Sequence, residues 1–184
     1  MPSGEFITRD NQEYYVISNY SLMPSFFMSL ANNSDLWMFI SSSGGLTAGR
    51  IDAQSSIFPY ITVNQLHDAH HHTGPITLIR IKEDNGKLTL WKPFATSNKN
   101  NPQLQRKLYK NTIGNRVIFE ETNIEHSLTF TYSWTGSDKY GWVKTSSVTN
   151  ISNRKIDFAI LDGLRNILPH GADLSLYQTS SNLV

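Results

Sequence analysis

Short runs of Val, Ile, Thr, Tyr, Phe and Trp alternate with polar turns along this chain, and helical periodicity is weak before its last residues. That pattern predicts a sheet protein. Phe6 to Arg9 and Tyr14 to Ser18 flank Asp10 to Glu13, an opening hairpin with Asp-Asn turn chemistry. Phe26 to Ala31 and Leu36 to Ser41 flank Asn32 to Asp35 as a second hairpin, and the dense run Leu36 to Ile40 predicts a strand buried on both faces. Asn85-Gly86 between Ile76 to Lys82 and Lys87 to Trp91 is a strong hairpin signal. Leu104 to Tyr109 is the next predicted strand.

The second half is more regular, with Asn115 to Thr122, Glu125 to Thr135, Gly141 to Asn150 and Lys155 to Leu161 predicting four successive strands of an antiparallel meander. Leu128, Phe130, Tyr132 and Trp134 fall on one face and Ser127, Thr129, Thr131 and Ser133 on the other. One face seeks a core, and the other meets solvent or a polar partner. A total of about ten to twelve strands fits two packed antiparallel sheets, so the expected class is all-β, an antiparallel β-sandwich. Residues 1–162 form the expected sandwich domain. Residues 163–184, where Leu174, Leu176, Tyr177 and Leu183 fall near one helical face, are the expected start of a helical linker.

Composition narrows the function classes. With 39% apolar and 17% charged residues among 184, the chain carries enough apolar side chains for a core. Sixteen Lys and Arg against fifteen Asp and Glu leave a formal charge of +1 and no basic stripe, which argues against a nucleic-acid partner. Cysteine is absent, so thiol nucleophiles and disulfides are excluded. No apolar run approaches a membrane span, and no signal region opens the chain, so with Met1 as native start the cytoplasm is the expected compartment.

Candidate chemistry concentrates between Ser41 and Gly74, a stretch poor in strand signal. Gly44 and Gly45 permit close backbone approach, but no Walker-type Gly-Lys-Ser/Thr follows. His67 to His72 contains Asp68, His70 and His72, which share a face if the chain is extended there; a solvated polar loop is the expected state, and no metal or other cofactor is expected. Flat rings and polar groups for a sugar are available at Trp37, Arg50, Phe58, Tyr60, His67 and Asp68. Glu120 and Glu121 are adjacent on a strand and point to opposite faces, so they cannot together form the acid pair of a glycosidase.

The stretch Leu36 to Arg50, followed by Phe58-Pro59-Tyr60 and Leu66-His67-Asp68, resembles the N-terminal region of cellobiose-phosphorylase-like proteins, which are similar to glycoside hydrolase family 94. Leu161 to Gly171 is similar to the point where that domain passes into a helical linker. The resemblance implies a supersandwich like that of galactose mutarotase, ahead of an α/α-barrel that holds the general acid. It implies a noncatalytic N-terminal domain of a glycoside phosphorylase or hydrolase, inactive alone. Its partners would be the barrel domain, a carbohydrate and, through subunit contacts, a second copy in a homodimer. Trp37, Gly44, Gly45, Arg50, Phe58, Tyr60, His67 and Asp68 would lie nearest a pocket or interface. An aldose-epimerase-type enzyme with His67 or His70 as acid, and a freestanding carbohydrate-binding module, are the alternatives.

Overall fold

The computed structural model describes residues 1–169 together with Ser175, Leu176 and Thr179. Its twelve strands are β1 (Ser3–Arg9), β2 (Gln12–Ser18), β3 (Phe27–Leu30), β4 (Leu36–Ser41), β5 (Leu46–Arg50), β6 (Gly74–Lys82), β7 (Leu88–Trp91), β8 (Leu104–Asn111), β9 (Arg116–Asn123), β10 (Leu128–Ser137), β11 (Gly141–Asn150) and β12 (Asp157–Arg165). One short α-helix, α1 (Val63–Leu66), lies between β5 and β6. The helical-linker expectation for Ala172 to Val184 lies outside the described residues, apart from the three named above.

Strands pair antiparallel throughout, in a six-stranded sheet β1-β2-β8-β9-β10-β11 and two three-stranded sheets, β12-β6-β7 and β3-β4-β5. The large sheet faces the two small ones across a common core, which makes the fold an all-β sandwich. Leu108, Phe119, Phe130 and Trp134 enter that core from the large sheet, and Met38, Ile40, Leu46 and Ile79 from the small ones. Each fully buried side chain of this size is worth about 1.5–3 kcal/mol. Phe119 stacks on Tyr132 at 4.7 Å, fixing neighbouring strands face to face.

Turn chemistry sets the register. Asp10 and Asn11 both take positive φ, at 51° and 59°, and close β1 onto β2 with Arg9 opposite Gln12. Gly86 does the same between β6 and β7 at φ 82°. The predicted alternation of β10 holds, with Leu128, Phe130, Tyr132 and Trp134 all buried.

Three expectations change. The segment Leu46–Arg50 is strand β5, invisible to β-propensity because it contains Gly49; a Cβ there would lie 2.5 Å from Cζ2 of Trp37, so the small residue makes room for the ring. Strand β4 is buried on one face only: Leu36, Met38 and Ile40 point inward while Trp37 and Phe39 are half-buried. Finally, β12 leaves the meander. Asn150 folds the connecting loop by donating to Arg154 O at 2.6 Å and accepting from Ser152 N, and the chain crosses to pair with β6, Ile160 opposite Ile79.

The outer face of the large sheet is also less polar than predicted. Tyr14, Val16, Tyr109 and Ile118 form a second buried cluster there. Arg9 lies 5.3 Å from the centre of the Tyr109 ring, and the Tyr109 hydroxyl donates to Glu120 at 2.8 Å, so two charged side chains roof an apolar patch.

Candidate functional site

A cleft of about 400 Å³ opens where three connections meet over the ring of Tyr132. Its walls come from the β4–β5 turn (Ser43, Gly44), the histidine segment (His70, His71), the connection after β7 (Phe94, Thr96), the start of β6, and Arg165 at the end of β12. A smaller recess of about 170 Å³ shares Ser43, Phe94, Thr96 and Tyr132 and continues to Tyr20 and Arg106. The size lies within the range of small-molecule sites.

The glycine turn holds the first two walls together. Gly44 sits at φ +91°, which a residue carrying a Cβ would resist. A Cβ on Gly45 would lie 2.6 Å from Leu66 O and 2.8 Å from His70 N, so only glycine lets the turn press against the histidine segment. Ser43 Oγ donates to His67 O at 2.9 Å, Ser41 Oγ lies 3.2 Å from His67 Nδ1, and Thr73 Oγ1 donates to Leu46 O at 2.8 Å. His67 is thus a bracket between turn and helix.

The third wall is pinned from below. Glu121, on the apolar side of β9, accepts from Arg106 Nε at 2.6 Å, Trp91 Nε1 at 2.7 Å and Phe94 N at 2.8 Å, and Arg106 donates to Ala95 O at 2.8 Å. Held this way, Phe94 keeps φ 62°, a region that costs a non-glycine residue about 1–3 kcal/mol. Its ring meets Tyr132 edge-on at 5.3 Å. Burial pushes the Tyr132 hydroxyl well above the ordinary phenol value, so it stays protonated.

Arg165 and Asn166 clamp the histidine segment from the far side. Arg165 donates to His71 O at 2.9 Å and His70 O at 2.5 Å, and Asn166 donates to His72 O at 2.5 Å. Burial lowers His70 below the ordinary imidazole value, which keeps the ring neutral at pH 7. Two atoms of this wall, His70 Nε2 and Arg165 Nε, are buried without a hydrogen-bond partner.

The sequence-predicted residues separate into two places. Gly44 and His70 line the cleft, while Gly45 and His67 pack behind its wall, Gly45 against the backbone of Leu66 and His70 and His67 against Ser41 and Ser43. Trp37 and Tyr60 meet edge-on at 6.1 Å on the outer face of β4, where Trp37 Nε1 donates to Asp52 O at 3.3 Å. Arg50 pairs with Asp35 at 3.2 Å, exposed and worth little. Phe58 is only 2% exposed and packs edge-on against Trp134 at 6.3 Å; it is a core residue and offers no ring to a sugar. Asp68 is exposed.

The extended geometry imagined for Asp68, His70 and His72 is replaced by a 3-10 turn over Ala69–His71, which removes the period-two alignment. His70 instead lies against His71, ring centres 3.8 Å apart. Among the described residues no three His, Cys, Asp or Glu side chains gather as a metal site. Sequence reasoning missed Phe94, Arg106, Glu121 and Arg165. Glu121 carried a signal: it shares a strand face with Phe119, and a carboxylate on an apolar face needs a partner.

No family model matches the chain, and no curated protein matches it. Among the described residues no helix is long and apolar enough to cross a membrane.

Proposed function

We propose that this chain is the noncatalytic N-terminal β-sandwich of a larger carbohydrate-active protein, a glycoside phosphorylase or hydrolase, and that it packs against further polypeptide through the flank formed by β11 and β12. The observation that carries the reading is the state of β12. Phe158 and Ile160 stand opposite the buried Ile81 and Ile79, yet are 40% and 45% exposed. Their strand is the outer member of its sheet, as β11 is of the large one. An uncovered apolar edge is a pairing liability that a covering partner removes.

The resemblance at Leu36 to Arg50 and Phe58 to Tyr60 supplies the carbohydrate class and the α/α-barrel as the covering domain. Among the described residues no Asp or Glu lines the cleft. Glu121 is bound to Arg106, and Asp162 to Lys144 at 2.6 Å. An aldose-epimerase mechanism at His70 would need a carboxylate facing the ring, and among the described residues none lines the cleft.

Two measurements test the reading. Backbone hydrogen exchange at Phe158 to Leu161 is expected to be slower in the parent polypeptide than in the 184 residues alone, and equal rates would overturn the packing role. Disaccharide phosphorolysis and hydrolysis are expected from the parent and not from the 184 residues; robust turnover by the latter would overturn the noncatalytic role.

A further inference from the structure

The smaller recess is walled by hydrogen-bond donors that the fold leaves unused. Arg106 spends Nε on Glu121 and Nη2 on Ala95 O, which leaves Nη1. The hydroxyls of Tyr14 and Tyr109 bond to Gln12 and Glu120, whereas those of Tyr20 and Tyr132 have no partner among the described residues. None of these three groups is sealed: the unpartnered side-chain atoms closed off from solvent belong to Asn32, His70, Arg116, Trp134 and Arg165. Tyr20, Arg106 and Tyr132 are each at most 5% exposed, and the recess of about 170 Å³ is the space that all three line.

Strand register brings them together. Arg106 stands opposite Glu121 and Phe119 opposite Tyr132, which puts Arg106, Phe119 and Tyr132 on the inner face of β8, β9 and β10. Tyr132 stacks on the Phe119 ring at 4.7 Å, and Tyr20 meets the same ring edge-on at 6.1 Å. Asn19 N donates to Arg106 O at 2.7 Å, so the segment that carries Tyr20 is tied to β8 beside the guanidinium.

The charge of the lining sets the class of ligand. Among the described residues no Asp or Glu lines the recess, and the exposed Lys99 on its wall forms no ion pair. Glu121 stands behind Arg106 with its charge met by three N–H donors. Burial holds both phenols protonated, so each can donate. Arginine and lysine nitrogens only donate, and both repel an ammonium. A phosphate dianion would set two charges against the one unpaired cation. A carboxylate brings one charge and about four lone-pair sites, a match for the guanidinium, the ammonium and the two phenols. Met23, Phe94 and Phe119 add apolar wall for a short carbon chain. We propose that the recess binds the carboxylate of a small organic acid, with Arg106 Nη1, Tyr20 Oη, Tyr132 Oη and Lys99 Nζ as its donors. This site is independent of both the packing flank and the carbohydrate reading.

The test titrates the 184-residue chain calorimetrically with acetate, lactate and butyrate, with the three matching amides as uncharged isosteres and with inorganic phosphate. Saturable binding of an acid is expected, with its amide weaker by about tenfold because the charge-assisted bonds are lost. Tyr20→Phe keeps the ring and drops an unpartnered hydroxyl, so it is expected to weaken binding severalfold at unchanged Tm. Lys99→Gln, at an exposed position, is expected to do the same. Equal affinity for acid and amide would overturn the anion, and tighter binding of phosphate would overturn the carboxylate. Binding untouched by Tyr20→Phe would put the acid somewhere else. A fall in Tm with Tyr20→Phe would reveal an internal partner for the phenol, and no binding by any panel member would leave the recess to water; either result also overturns the site.

Discussion

Arg106 donates its Nε–H to Glu121 at 2.6 Å with side-chain exposures of only 6% and 0%, so a full ion pair is sealed inside the sandwich. It fixes the cleft, because the same carboxylate holds Phe94 N and the same guanidinium holds Ala95 O. Removing one partner strands the other charge. Arg106→Met is expected to cost about 3–5 kcal/mol, a fall in Tm on the order of 10 °C, whereas the double change with Glu121→Leu should recover much of it. Thermal unfolding of the two variants checks this; equal losses in the single and the double variant would deny the pair its role.

A second pair ties the two layers together. Lys144 of β11 donates to Asp162 of β12 at 2.6 Å, and Thr77 donates to the other carboxylate oxygen at 2.6 Å. Burial works to raise the Asp162 carboxyl, but the hydrogen bonds from Lys144, Thr77 and Ser146 outweigh it and hold it below the ordinary carboxylate value. A folded-state value below the unfolded one means the contribution is complete above about pH 4 and is lost as pH falls through the depressed value. Asp162→Asn should therefore lower Tm by a constant amount from pH 7 to about 4. Below that the gap to the unsubstituted chain should narrow, and a gap as wide in strong acid as at pH 7 would contradict the assignment.

At Gly45 the cleft depends on the lack of a side chain. Ala there would press its methyl group onto Leu66 O and His70 N at 2.6 and 2.8 Å, both backbone atoms that cannot rotate away. Gly45→Ala is expected to cost about 1–3 kcal/mol in urea unfolding. Chemical shifts of His67 to His70 should move with it, while those of β8 to β10 stay. Unchanged stability would show that turn and helix slide apart freely.

How much of this was legible in the sequence depended on whether a local rule controlled the outcome. Alternation in Leu128 to Trp134 and turn residues at Asp10-Asn11 and Asn85-Gly86 act within a few residues, and the structure follows them. The destination of β12 does not have a local rule: an apolar run carries no mark of which strand it pairs with, and this one pairs with β6 after the Asn150 to Arg154 loop. Gly44, Gly45 and His67 stood out by residue type; Gly44 lines the cleft, and the other two pack behind its wall. Phe94, Glu121 and Arg165 were hidden because their roles come from partners 27 and 95 positions away.

The flank provides the most direct contrast between neighbouring positions. Ile79 and Ile160 stand opposite each other on β6 and β12, yet the first is 0% and the second 45% exposed. Ile79→Asp buries an unpaired carboxylate and is expected to cost more than about 4 kcal/mol, unfolding the chain at modest temperature. Ile160→Asp keeps its charge in water and is expected to cost about 1 kcal/mol in the 184-residue chain. If further polypeptide covers this flank as proposed, the second change should instead become severe in the longer chain, because the covering surface would take the same carboxylate out of water. Unfolding of Ile160→Asp in both contexts checks this, and a loss that stays near about 1 kcal/mol in each would mean that β12 faces solvent in the whole protein too.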